Sequence, residues 1–283
     1  MYYCHNSNLE FSICMAYNVL YLQMFSSFYM CTEYKKSIQE GIPMLEVRNL
    51  TFKVNENGIE RSIVKNISFD AADGEMLVIT GPNGGGKSSL AKVLMGIESA
   101  DEGQIILDGE DITAYDINHR ANAGIGFAFQ QPPRFKGMTV IRLLSLAAGR
   151  ELKKHECCKM LSAVGLCANE YITREVDATL SGGEMKRLEI ATVLAKTHKL
   201  CIFDEPEAGI DLWSFSMLVE QFERIHEKKE QSLILISHQE RIIEMADRIM
   251  VIEDGRIGAI GAKEDILPTL MNCTDASCTC LTR

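Results

Sequence analysis

From Met44 onward the chain alternates short, wholly apolar runs with segments whose apolar residues recur at helical spacing. Met76-Leu77-Val78-Ile79-Thr80 ends in a glycine-rich turn, and Ser88–Met95 after it reads as a helix. Ile125–Phe129, Leu200-Cys201-Ile202-Phe203 and Leu233-Ile234-Leu235-Ile236 are further strand candidates. The last two lack polar alternation, as expected of strands covered on both faces. Between them Phe215, Leu218, Val219, Phe222 and Ile225 share one helical face. Asp108-Gly109 follows Ile105–Leu107, and Asp254-Gly255 separates Met250–Ile252 from Arg256–Ile260. Both pairs are hairpin-turn signals. Thr139 to Ala168 reads as helix-like with few turn residues, and Thr139–Leu194 predicts a helical insertion. The alternation predicts an α/β fold with a mainly parallel sheet. Internal repeats and low-complexity tracts are absent from the sequence.

Residues 1–43 have a different texture. They hold nine of the chain's twenty aromatics, and Phe11 to Thr32 carries no charge. A secretory signal needs a basic start, which MYYCHNSNLE lacks. A membrane-spanning helix fits by length, but Asn18, Gln23, Ser26 and Ser27 dilute it. An interfacial or disordered extension is a further alternative. The third reading is a translated leader. Gln39-Glu40-Gly41 can be encoded by a purine-rich ribosome-binding sequence, and Ile42-Pro43 would space it from Met44. We expect the leader and set residues 1–43 outside the fold, with one domain over 44–270 and a tail over 271–283.

Composition narrows the function classes. The chain has 283 residues, 24% charged and 46% hydrophobic, which describes an ordinary globular protein with a substantial core. Its 39 acidic and 29 basic residues give −10, against a general nucleic-acid or anionic-membrane binder. Ten cysteines are too sparse for a disulfide scaffold, and reduced thiols in a cytoplasmic setting are expected. Cys273, Cys278 and Cys280 would bring three thiolates near one soft metal or cluster, but three ligands are incomplete. Reduced thiols in a flexible tail are the expectation there.

Gly81-Pro82-Asn83-Gly84-Gly85-Gly86-Lys87-Ser88 matches the phosphate-binding loop G-x4-G-K-[ST], and it lies between an apolar strand and a helix. Glycines let successive backbone N–H groups turn inward on a polyphosphate, and the following helix adds its dipole. Lys87 is expected at the β- and γ-oxygens and the Ser88 hydroxyl on Mg²⁺, with Ser89 also in the nucleotide-binding set. Asp204-Glu205 directly follows the run Leu200–Phe203, at a strand end where open α/β sheets bind ligands. Asp204 is expected to hold the hydrated Mg²⁺, and Glu205 to orient or deprotonate the attacking water.

Leu180-Ser181-Gly182-Gly183-Glu184 adds a second glycine turn, opening a helix whose N-terminus suits a γ-phosphate. With this segment the chain resembles the ABC ATPase family, from Met44 to about Leu270. The motif order fits: phosphate loop, a glutamine loop at Gln130, the signature, Asp204-Glu205, an acidic turn at Asp211, and His238. The resemblance implies a parallel core sheet, an antiparallel β subdomain and an inserted helical subdomain over about 139–194. It also implies two ATP molecules sandwiched in a head-to-tail homodimer, with Ser181, Gly182 and Gly183 contacting the partner's nucleotide. Gln130 would sense Mg²⁺ and couple to the helical region, and His238 would contact the γ-phosphate. Members often stack adenine on an aromatic where this chain has Val54, so aliphatic packing or Phe52 is expected to serve instead.

Within the family, Leu180–Arg187 (LSGGEMKR) is similar to the SufC group of iron–sulfur assembly ATPases. That similarity implies a SUF-type scaffold as partner, with no membrane span in this chain. The alternative is the nucleotide-binding subunit of a membrane transporter, coupling through the Gln130 region to a separate permease.

Overall fold

The computed structural model describes residues 43–56 and 58–276. The leader expectation therefore falls outside the described residues, except for Pro43.

Twelve strands and nine helices follow one another along the described residues. The central sheet is built from β3 (Met76–Thr80), β6 (Ile125–Ala128), β9 (Leu200–Asp204), β10 (Ser232–Ile236), β11 (Arg248–Glu253) and β12 (Arg256–Ala262). Their order is β12-β11-β3-β10-β9-β6. Every neighbouring pair is parallel except β11 with β12, which is an antiparallel hairpin. Every residue of β3, β9 and β10 is buried, so their uniform apolarity is the signature of a sheet covered on both faces. The alternation splits the two cores. Met76, Val78, Leu233 and Leu235 face the helical side, whereas Leu77, Ile79, Ile234 and Ile236 face the other. Each such side chain contributes about 1.5–3 kcal/mol by leaving water.

On that second side lies an antiparallel sheet ordered β2-β1-β4-β5, from β1 (Leu45–Glu56), β2 (Ile59–Ala71), β4 (Glu102–Leu107) and β5 (Glu110–Asp111). Both Asp-Gly pairs close hairpins as the sequence predicts: Leu107 pairs with Glu110, and Glu253 with Arg256. Asp108 and Asp254 adopt φ near +50°, one of the few backbone states a two-residue hairpin accepts.

Helix α1 (Lys87–Met95) follows the phosphate loop, and α2 (Ile117–Ala123) closes its far end. Arg120 of α2 is 1% exposed. It donates to the carbonyls of Val93 and Leu94 at 2.6 and 2.8 Å, and to those of Thr113 and Tyr115 at 2.8 and 3.0 Å. The guanidinium thus satisfies carbonyls that the C-terminus of α1 leaves over.

The helical region holds α3 (Val140–Ala147), α4 (Lys154–Ala163), α5 (Ala168–Tyr171) and α6 (Gly182–Val193). The helix-like stretch expected from Thr139 to Ala168 is thus two helices, broken by the polar segment Gly149-Arg150-Glu151. β7 (Phe135–Thr139) and β8 (Glu175–Val176) pair as a separate two-stranded ladder, which periodicity alone did not reveal. Helix α7 (Leu212–Lys228) buries Phe215, Leu218, Val219 and Phe222, as their spacing predicts. After α8 (Glu240–Ile243), α9 (Lys263–Ala276) runs through the boundary expected at residue 270. The separate tail is corrected accordingly: Cys273 belongs to the backbone of that helix, while Cys278 and Cys280 lie outside the described residues.

Candidate functional site

The C-terminal ends of β3, β9 and β10 bring three chain segments together. The loop Gly81–Gly86 leaves β3 and enters α1, with Gly86 at φ 102° just before the helix. A Cβ there would need a left-handed backbone and would lie 2.8 Å from the Ile63 carbonyl, so glycine is required. Asn83 and Gly84 are exposed at the loop's crest, Gly81 is half-buried, and Gly85 is buried against Ile252. Lys87 is 5% exposed. Its Nζ donates to the carbonyls of Gly81 and Pro82 at 2.6 and 2.9 Å, folding back over its own loop. Burial pulls its ammonium below the usual range, opposed by the charges of Glu205 and Asp204.

Ser88 Oγ donates to Asp204 Oδ1 at 3.0 Å. Ser89, one position further on α1, is half-buried. Asp204 closes β9 at 1% exposure. Burial raises its carboxyl above the usual range, with the Ser88 hydroxyl opposing and the Glu205 charge adding to the rise. A cation beside it would relieve that burial. Ser88 and Asp204 set a hydroxyl and a carboxylate side by side, oxygen donors of the kind that fit a hard divalent ion such as Mg²⁺.

Glu205 follows with φ 45°, a left-handed backbone that turns its side chain away from the strand line. Its N–H donates to the Ile236 carbonyl at 3.0 Å, and Gln130 Nε2 donates to its Oε2 at 2.8 Å. His238 stands exposed two positions beyond Ile236. Its imidazole is drawn below the usual range by desolvation first and then by Lys87, with Glu205 opposing. Gln130, Glu205, His238, Lys87, Ser88 and Asp204, drawn from four separate stretches of sequence, therefore share one electrostatic neighbourhood.

The signature segment stands at the start of α6. Ser181 caps it by accepting from the Glu184 N–H at 3.3 Å, and Glu184 Oε2 accepts from the Ser181 N–H at 2.7 Å. This reciprocal box settles why a glutamate follows the two glycines. Tyr171 also donates its hydroxyl to Glu184. A Cβ on Gly183 would lie 2.3 Å from the Gly209 carbonyl, so the signature turn packs backbone to backbone against the loop before Asp211. Asp211 caps α7, accepting from the Ser214 N–H at 3.0 Å, and that bond lowers its carboxyl. Its geometry is that of a helix cap. Phe52 is 8% exposed and packed inside the second core, so it is not available to stack on a base; Val54 on the same strand is only half-buried.

Two residues that the sequence reading passed over tie these parts together. Lys186 on α6 is 1% exposed and donates to the carbonyls of Phe129 and Asp204, the second at 2.8 Å. Those carbonyls directly precede Gln130 and Glu205. Glu189, one turn on, accepts from the Phe129 N–H at 2.9 Å, with its other oxygen 3.7 Å from Lys186 Nζ. Burial pushes the Glu189 carboxyl up to about 7. The available signal was an opposite-charge pair at i and i+3 among the apolar residues Met185, Leu188 and Ile190.

The ABC transporter family profile matches residues 64–208. An uncharacterised ABC transporter ATP-binding protein of Methanocaldococcus jannaschii is 37% identical over 73% of this chain and 85% of its own length. A sulfate/thiosulfate import ATP-binding protein of Synechocystis is 33% identical over 72% of the chain, which spans only 57% of that relative. Among solved structures, a dimeric ATP-binding cassette with ADP and Pi superposes with TM-score 0.71 at 20% identity, covering 78% of this chain and 99% of that one. A bacterial Atm1-family exporter with ATP bound also gives 0.71, at 25% identity over 84% of this chain and 43% of the exporter. These relatives are transporter proteins, and the narrower likeness to SufC is not carried by them. The chain belongs to the ABC transporter family, as one of its ATPase cassettes.

Proposed function

We propose that the chain is the ATP-hydrolysing subunit of an ABC membrane transporter, acting on a separate permease. The observation that carries the ATPase half is the meeting of the phosphate loop, Asp204-Glu205, Gln130 and His238 at one sheet edge. The permease half is supported by the transporter relatives. No helix among the described residues is long and apolar enough to cross a membrane.

In this reading the amides of Gly81–Gly86 and the N-terminus of α1 hold the triphosphate, with Pro82 and Asn83 shaping the crest. Lys87 exchanges its loop carbonyls for phosphate oxygens, and Ser89 supports the same turn. Ser88, Asp204 and Gln130 would hold Mg²⁺, which supplies charge neutralisation on the phosphates when bound. Glu205 accepts a proton from the attacking water, while His238 steadies the γ-phosphate side. Ser181, Gly182 and Gly183 serve the nucleotide of a second copy in a head-to-tail dimer, and Asp211 fixes the neighbouring turn as a cap. Lys186 transmits movement of α6 to both Gln130 and Glu205.

A second reading, iron–sulfur cluster assembly with a SUF-type scaffold, rests on the LSGGEMKR text and on Val54 standing where an adenine-stacking aromatic is common. Affinity purification of the protein from its native lysate separates the two. A polytopic permease recovered only with detergent supports the transporter. A scaffold protein recovered without detergent moves the assignment to cluster assembly.

A further inference from the structure

The turn after Glu205 carries a second carboxylate that the hydrolytic reading leaves unused. Glu207 Oε1 accepts from the Ser237 hydroxyl at 2.7 Å. Ser237 is fully buried, its Oγ in turn accepts from the Gln239 N–H at 3.0 Å, and its own N–H donates to the Ile79 carbonyl at 3.2 Å. The serine is therefore fixed to β3 on one side and to the loop carrying His238 on the other. Glu207 Oε2 is buried with no hydrogen-bond partner. A buried carboxylate with one oxygen unsatisfied is costly, and the turn itself closes without it through the Ala208-to-Glu205 and Ile210-to-Glu207 backbone bonds at 3.1 Å. What the side chain adds is a tie between loops.

We propose that Glu207 is a positioning residue for ATP hydrolysis, latching the turn that carries Glu205 to the loop that carries His238. Glu205 holds a left-handed backbone, which persists only where neighbours over-determine it. One tie is the Glu205 N–H to the Ile236 carbonyl, and the Glu207–Ser237 bond is the second, two residues along. Burial raises the Glu207 carboxyl, while the Ser237 hydroxyl opposes that rise, consistent with a group tied to the His238 loop.

The inference rests on Glu205 as the hydrolytic base, and the test separates the two. Steady-state phosphate release and melting temperature are measured for Glu207→Ala, Glu207→Gln, Ser237→Ala, the alanine double variant and Glu205→Gln. Loss of one positioning bond predicts kcat about tenfold lower in Glu207→Ala, with KM for ATP within about twofold. Glu207→Gln, whose amide oxygen still accepts from Ser237, recovers most of the rate. Ser237→Ala matches Glu207→Ala, and the double variant falls no further, because both remove the same bond. Should Glu207→Ala fail to fold, Ser237→Ala carries the comparison with the loss of one hydroxyl. Wild-type kcat in Glu207→Ala or Ser237→Ala beside an inactive Glu205→Gln overturns the latch alone. So does a double variant whose loss is the product of the singles. Full turnover in Glu205→Gln overturns the underlying reading.

Discussion

Ser88 Oγ and Asp204 Oδ1 meet at 3.0 Å across 116 positions of sequence, joining the first turn of α1 to the end of β9. The bond fixes a hydroxyl and a carboxylate side by side at the mouth of the phosphate loop. Asp204→Asn keeps the shape and removes the charge. The Mg²⁺ concentration for half-maximal ATPase is expected to rise at least about tenfold, equivalent to a loss of about 1.4 kcal/mol. Titration of activity against Mg²⁺ at saturating ATP reads this directly.

Lys186 holds the carbonyls before Gln130 and Glu205 from a single buried ammonium. Lys186→Met combined with Glu189→Gln fills the same space without the tethers and leaves no unpaired charge buried, so stability changes little while turnover falls on the order of tenfold. Parallel urea melts and phosphate-release rates test that split. A melt shifted as strongly as the rate would make Lys186 a packing residue only.

The Glu189 carboxyl is raised by burial from its ordinary 4.5 to about 7. A folded-state value above the unfolded one means that the folded protein holds its proton over that window. The stabilisation is complete below pH 4.5 and is lost as pH rises through about 7. Wild-type stability relative to Glu189→Gln should therefore decline between those limits and then level off. Denaturant melts of both proteins across that range provide the check.

Gly183 has no room for a methyl group, because its Cβ would lie 2.3 Å from the backbone oxygen of Gly209. Gly183→Ala must push α6 and the Asp211 loop apart. Turnover is expected to drop by about a hundredfold or more, while ATP binding to the isolated chain, proposed above to use Gly81–Ser88, stays within about threefold. Rates and nucleotide titrations on the same preparation distinguish this from unfolding.

Much of this architecture was legible in the residues. Continuous apolar runs gave β3, β9 and β10 because a doubly covered sheet tolerates no polar face. Asp-Gly gave both hairpins because few other pairs accept that turn. The phosphate loop, Asp204-Glu205 and the signature were readable because each needs particular residue types at short spacing. What escaped depended on contacts distant in sequence. The split between α3 and α4 and the β7–β8 ladder depend on how the inserted segment packs. Lys186, Glu189, Arg120 and Glu207 look like surface charges in one dimension. Their roles appear only when the backbone carbonyls and hydroxyls they reach are known. Phe52 erred in the other direction: strand alternation turned it into the core.

In the proposed function Glu205 drives ATP hydrolysis at this sheet edge. The decisive experiment compares phosphate release by the protein and its Glu205→Gln variant, at equal ATP and Mg²⁺ and with nucleotide binding measured on both. A loss of about 10²–10⁴ in turnover with ATP binding retained is expected. Equal hydrolysis by the two proteins would contradict it.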